Sequence, residues 1–235
     1  MARVPLLTNI ILDGIVKAFQ LLLSLDPTLY SIVLRSLYVS GLATAMATLW
    51  SLPIAAILGL KNFPGKRFIR ASFNAFLGVP TVVLGLILFL LLSRSGPLGM
   101  FGLLFTPLAI SIGQAILITP IIVSFITSAI EAIDVELRDL ARTLGSTEIQ
   151  SSIAILREAF GGVTLALIAA FNRAFAELGV AMMLGGNIHG LTRLLTTAIA
   201  LETARGEIAF SIALGVILVI IVYTFSIILN YLRRN

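Results

Sequence analysis

The chain has no cysteine and a single histidine, His189. Without thiols it forms no disulfide, carries no thiolate chemistry and builds no Cys-ligated metal site. One imidazole cannot make a metal centre by itself. Charge is scarce too. Only 11% of the 235 residues are Asp, Glu, Lys or Arg, against about 25% in a soluble domain. No G-x-x-x-x-G-K-[ST] sequence occurs. Gly65-Lys66-Arg67 lacks the hydroxyl that holds magnesium and follows a turn, so it reads as an anchor at a membrane edge. If ATP drives this protein, the nucleotide site is on another polypeptide.

What is plentiful is apolar surface. Hydrophobic residues make up 59% of the chain, and mean hydropathy is +1.09. These values predict an all-α polytopic membrane protein in which one transmembrane domain uses residues 1–235 and leaves nothing for a soluble catalytic domain. The net charge of +5 does not imply nucleic acid, because the bases sit at membrane edges and not on one face. Five runs exceed the ~20 residues needed to cross hydrocarbon: about 32–60, 68–92, 101–129, 159–184 and 208–232. Pro53 is an expected kink in the first, and Pro107 and Pro120 fall inside the third. Residues 6–25 form an amphipathic helix with Asp13 and Lys17 paired at i, i+4. It either crosses at a tilt or lies in the interface, the interface being preferred. No removable signal peptide is expected, because these charges interrupt the run and no small-residue cleavage site follows.

Loop charge sets the orientation. The loops at 61–70, 130–158 and 233–235 carry Lys61, Lys66, Arg67, Arg70, Arg138, Arg142, Arg157, Arg233 and Arg234. The opposite loops carry only Arg94, Arg193 and Arg205. The basic side is expected to be cytoplasmic, with the C-terminus on it. No internal repeat is visible, which counts against a secondary transporter built from inverted repeats.

The one long polar segment is 130–158, with six of the eleven acids: Glu131, Asp134, Glu136, Asp139, Glu148 and Glu158. Ile130, Ile133, Leu137, Leu140, Ala141 and Leu144 recur at helical spacing. Gly145 interrupts the pattern. Ser146 and Thr147 can cap a second helix through Ile149, Ile153 and Leu156. The segment therefore predicts helix, turn, helix. It resembles the coupling loop of ABC importer permeases, summarised as EAA, three residues, Gly, nine residues, then I-x-L-P. Asp139, Leu140 and Ala141 stand at the EAA positions, Gly145 at the Gly and Ile155 at the Ile. Arg157 and Glu158 replace the final L-P, a departure at the exit of the second helix.

Two polar features lie within or beside the fourth span. Arg173 and Glu177 are i, i+4 in FNRAFAELG. Each charge costs about 2.5–3.5 kcal/mol at mid-span on insertion scales, and a pair of opposite sign mostly removes that cost. The pair either fixes helix packing or lines a dimer interface or the route of an anion. Residues 184–203, LGGNIHGLTRLLTTAIALET, begin with a helix end at Gly185-Gly186 and a turn at Asn187. The remainder is helix-like and rich in hydroxyls, including Thr192, Thr196, Thr197 and Thr203. It is either a re-entrant plug or an outer gate that also docks a binding protein.

The run NRAFAELGVAMMLGGNIHGLTRLLTTAIALET resembles the permeases of molybdate, sulfate and tungstate importers, which carry R-A-x-x-E-x-G-A followed by G-N-I-x-G-x-T. Arg173, Ala174, Glu177, Gly179, Gly186, Asn187, Ile188, Gly190 and Thr192 match, and Val180 stands in for an Ala. Residues 76–99, 103–110 and 196–203 look closest to the tungstate branch. The resemblance covers roughly residues 26–232. It implies a type I ABC importer transmembrane fold, with five core helices, an N-terminal helix and a cytoplasmic coupling loop. It also implies a second copy of the chain, two ATPase subunits and an extracytoplasmic oxyanion-binding protein. On that reading Asp139, Leu140, Ala141, Leu144, Gly145 and Ser146 meet the ATPase. An anion path needs hydrogen-bond donors that do not trap the anion. Asn74, Thr81, Ser111, Gln114, Thr119, Asn172, Asn187, Thr192 and Thr196 are the candidates for path and gate.

Two other classes compete. A membrane-embedded enzyme needs an acid/base pair or nucleophile, yet Glu177 is the one acid deep in a span, and its i, i+4 partner is the oppositely charged Arg173. A stand-alone secondary transporter of a small anion expects coupling carboxylates in mid-membrane, and again Glu177 is the sole candidate. No cofactor is expected.

Overall fold

The computed structural model describes residues 4–24, 26–133 and 147–234. Ten α-helices and one 3₁₀ turn are described. They are α1 Val4–Leu23, α2 Pro27–Leu60, α3 Lys66–Phe76, α4 Thr81–Leu92, the turn Gly99–Phe101, α5 Pro107–Glu131, α6 Glu148–Glu158, α7 Phe160–Phe175, α8 Gly179–Gly185, α9 Leu195–Ala204 and α10 Ile208–Arg234. No strand occurs among the described residues. Three stretches, Pro27–Leu60, Pro107–Glu131 and Ile208–Ile228, are each long and apolar enough to cross a membrane. Two bent pairs, α3 with α4 and α6 with α7, reach that length together. Three of the five expected spans are thus single helices; the 68–92 run is a bent pair, and the pair α6–α7 overlaps the expected 159–184 run only in part, because α6 lies in the polar 130–158 segment.

The bends have local causes. Between α3 and α4 the axis turns by 98°. Pro80 opens α4 and pushes the preceding Val79 out of the helical region, and Gly78 loosens the link further. The 68–92 run is therefore an elbow rather than one rod. The third run also differs from expectation. Pro107 is not inside a helix but at its first position, where its missing N–H costs nothing, and the Thr106 side chain caps it. The fourth run breaks after Phe175, as described below. Pro53 and Pro120 both lie within helices.

The centre of the bundle is α5, most of which is buried, whereas α2 and α10 keep most of their surface outside. The α2 face turned inward is a stripe of small residues: Ser36, Ser40, Ala43, Ala47, Ser51 and Ala55. Small side chains let backbones approach closely where no hydrophobic effect drives helices together. Ile118, Ile122, Ile126 and Ile130 of α5 fill the space they leave. The register is legible from contacts. Ser111 donates to Val39 O at 3.1 Å, Trp50 Nε1 to Thr119 Oγ1 at 2.8 Å, and a Cβ on Gly59 would lie 2.7 Å from Ile130. Both residue numbers rise together, so α2 and α5 are parallel. In contrast, α7–α8 runs against α5: Gly162 meets Ala129, and Gly185 meets Ile110. The C-terminal ends of α2 and α5 and the start of α7 therefore share one face, with Lys66 of α3.

Two smaller points are added. Residues 6–25, expected to cross at a tilt or to lie in the interface, rest against the bundle. Helix α1 packs on α10, with Ala18 buried, Gly14 against Ile212 and the Lys17 ammonium 4.9 Å from the Phe210 ring centroid. In α6, Ile149 and Ile153 point outward, while Ser151, Ile155 and Ala159 form the buried i, i+4 face. Thr147 caps α6 as expected, in a capping box with Gln150.

Gly113 is pressed so closely that an added Cβ would lie 2.5 Å from both Val180 and Leu184, whereas one on Gly41 would meet nothing within 4 Å. Gly113→Leu is expected to cost about 1–3 kcal/mol, seen as a lower melting temperature in detergent, and Gly41→Ala to leave melting unchanged.

Candidate functional site

The break between α7 and α8 is the most polar point in the bundle interior. At its centre is Glu177, 2% exposed. Its carboxylate has two partners: Arg173 Nη1 at 2.5 Å and the Val180 backbone N–H at 3.1 Å. In an unbroken helix that N–H would go to the carbonyl four residues back. The carboxylate takes it instead, so the side chain caps the next helix and ends the previous one. The Glu177 carbonyl, freed by the same break, accepts from Thr196 Oγ1 at 2.9 Å. Irregular backbone at membrane depth survives where such partners exist. The sequence-predicted pair is therefore real, and Thr196 is joined to it.

Gly179 brings in a further helix. A Cβ there would lie 2.7 Å from Thr81 Oγ1 and 3.2 Å from the Val82 nitrogen. The start of α4 abuts the break only because position 179 has no side chain. Thr81, Arg173, Glu177 and Thr196 thus come together from α4, α7, the break and α9. Asn172 faces elsewhere and donates to Ser226 of α10 at 2.8 Å.

A second polar cluster closes the face opposite Lys66. Gly186, Asn187 and Gly190 have φ of 65°, 52° and 76°, which turns the chain sharply after α8. Thr192 Oγ1 staples the loop, donating to Gly185 O at 2.5 Å and accepting from Ile188 N at 2.9 Å. Residues 188–194 are therefore turn rather than helix, and α9 starts at Leu195. From α2, Arg35 donates to the carbonyls of Gly190 (2.9 Å) and Arg193 (3.1 Å), and Ser36 accepts from Leu195 N at 2.9 Å. Sequence reading missed Arg35 and Ser36. The available signal was a lone charge inside an otherwise uncharged 34-residue helix. His189 lies on the loop and is exposed.

The remaining candidates are scattered. Gln114 is fully buried and accepts from Ser40 at 3.3 Å, while its amide nitrogen has no partner. Ser111 and Thr119 spend their hydroxyls on backbone carbonyls, Ser111 on Val39 and Pro107 and Thr119 on Ala115. Asn74 is exposed on α3. A cavity of about 410 Å³ lies among Trp50, Phe73, Phe76, Ile87, Thr119 and Pro120. Its polar groups, Trp50 and Thr119, bond each other, so it offers an anion no free donor. Asp139, Leu140, Ala141, Leu144, Gly145 and Ser146 lie outside the described residues. Among the described residues no cluster of three or more His, Cys, Asp or Glu could hold a metal.

Replacing Glu177 by Gln leaves Arg173 without its counter-charge. A loss of about 1.5–3 kcal/mol is expected, read as a lower melting temperature. Adding Arg173→Gln should recover part of it, and equal loss in both variants would show that the pair is not the coupled unit.

Comparison with known proteins places this geometry. Residues 51–235 match the family described as binding-protein-dependent transport system inner membrane component. The chain is 36% identical to the tungstate uptake system permease of Peptoclostridium acidaminophilum, over 96% of this chain and 99% of that one. It is 43% identical to a probable anion ABC transporter permease of Haloferax volcanii, over 83% and 86%. It is 31% identical to the molybdenum transport system permease of Escherichia coli, over 77% and 83%. Among solved structures, an inward-facing methionine ABC transporter matches with TM-score 0.73 at 20% identity, covering 89% of this chain and 97% of that one. An amino acid ABC transporter matches with TM-score 0.67 at 21%, covering 92% and 97%. These two likenesses show a shared fold, the type I importer transmembrane fold. A family whose transport depends on a binding protein does not favour the stand-alone secondary transporter. The chain belongs to the binding-protein-dependent inner membrane components, as a multi-pass permease subunit of an ABC importer.

Proposed function

We propose that this permease carries a tetrahedral oxyanion, tungstate first and molybdate or sulfate next. The observation that carries the proposal is the 36% identity to a tungstate permease across nearly both whole chains. A second tungstate permease, from Campylobacter jejuni, is 37% identical over 96% of this chain. The permease works as a homodimer with two ATPase subunits and an extracytoplasmic binding protein. The face bearing Lys66 and the end of α5 is cytoplasmic, in keeping with its excess of bases. Asp139, Leu140, Ala141, Leu144, Gly145 and Ser146 seat on the ATPase, and the Arg35-tied loop at 186–194 receives the binding protein. ATP closes the ATPase dimer, the coupling segment moves, and rigid-body motion of the spans switches access.

The interior suits a dianion that must pass and not stay. Arg173 is neutralised by Glu177, so it offers no fixed positive well. Gln114, Thr81 and Asn74 remain as the candidate donors for the path, because Thr119, Thr192 and Thr196 already donate to carbonyl groups. Asn187, whose side-chain oxygen has no partner, belongs to the outer gate, and Asn172 to the packing of α7 on α10.

Proteoliposomes holding the permease, its ATPase and its binding protein are expected to take up tungstate only with ATP. Uptake driven by an ion gradient without the ATPase would overturn the proposal. Gly145→Leu is expected to cut ATP-driven uptake by at least about tenfold with normal membrane insertion, and normal uptake by this variant would remove the coupling role from the segment.

A further inference from the structure

A three-member ion cluster on the Lys66 face stands outside the site described so far. Glu131 is the last residue of α5. Its Oε1 lies 3.0 Å from Lys66 Nζ, and its Oε2 pairs with Arg70 Nη1. Lys66 and Arg70 are i, i+4 on α3 and present the same side to it. A carboxylate at a helix C-terminus is disfavoured by the helix dipole. Its position at the end of α5 is therefore explained by α3 and not by α5. Lys66 and Glu131 are mostly covered, at 17% and 25% exposure, and Arg70 is more open at 41%. Partly exposed ion pairs add little to stability. What this one does is geometric: it joins the start of α3 to the last residue of α5.

The position of the tie gives it meaning. Glu131 stands at the very start of the 130–158 segment proposed to couple to the ATPase, eight residues before Asp139. α3 is one arm of the 98° elbow. The other arm, α4, starts at Thr81 against Gly179, two residues from the buried carboxylate that caps α8. Contacts therefore join the end of α5 to α3 through the ion cluster, and the start of α4 to the helix break through Gly179.

We propose that Glu131 is a positioning residue for transport. It clamps α3 to the end of α5, so that movement of the coupling segment turns the α3–α4 elbow and the α7–α8 break together. This rests on the proposed ATP-driven oxyanion import. The residue touches no substrate and no nucleotide. Its removal should spoil the conversion of hydrolysis into transport and leave the amount of assembled complex alone.

The test uses the complete complex in proteoliposomes with its binding protein, with tungstate as the transported probe. ATP hydrolysed per tungstate taken up is the readout. E131K is expected to raise this ratio about fivefold at normal yield of complex. The triple reversal K66E/R70E/E131K is expected to return it to within about twofold of the unmodified protein. An unchanged ratio in E131K, or a lower yield of complex with an unchanged ratio, overturns the clamp and leaves the proposed function standing. Failure of the unmodified complex to show ATP-driven tungstate uptake overturns the underlying reading, and the clamp with it. Should E131K not assemble, E131Q is measured in the same way with the same criteria.

Discussion

Close packing of α2 along α5 sets the height of every other element. Water cannot drive helices together in a bilayer, so contact area must come from side chains small enough to let backbones approach. The Ser and Ala stripe of α2 supplies that, and the isoleucines of α5 fill the remaining space. Three cross-links hold the parallel register, from Ser111 at one end through Trp50 to Gly59 at the other. Once these two helices run the same way, the intervening chain must cross once, which α3 and α4 do. α7 and α8 must return against α5, which the contacts of Gly162 and Gly185 confirm.

On this frame the irregular points are the informative ones. Each break in a helix frees backbone groups that lipid cannot satisfy. At 176–178 a carboxylate and a threonine hydroxyl take them. At 186–194 a second threonine and an arginine from α2 do so. Both breaks are thereby rigid. Polar residues that look like path donors in the sequence turn out, in several cases, to be supports for the backbone. Thr192 and Thr196 are the clearest examples. Those without such a duty, notably the amide nitrogen of Gln114, are fewer, and this narrows the part of the interior that could meet an anion.

The two faces differ in how they are held. The Arg35 face is fixed by charge-assisted hydrogen bonds from one guanidinium to two backbone carbonyls. The Lys66 face is held by an ion cluster between two helix ends.

Much was decided by composition and spacing alone. Scarce charge and long apolar runs dictate a helical membrane protein. The i, i+4 spacing of Arg173 and Glu177 places them on one face, and Gly186-Asn187 demands a turn, because these properties depend only on neighbours along the chain. The 98° elbow was less legible: an apolar run from 68 to 92 reads as one span, and Pro80 alone does not say whether a helix kinks or folds over. The ion cluster was not legible at all. Glu131 and Lys66 lie 65 positions apart, and only the parallel docking of α2 and α5 brings the end of one beside the chain leaving the other. Local pattern fixes what each segment can be. Which segments meet depends on long-range packing, and that is what gives Arg35, Gly179 and Glu131 their contacts.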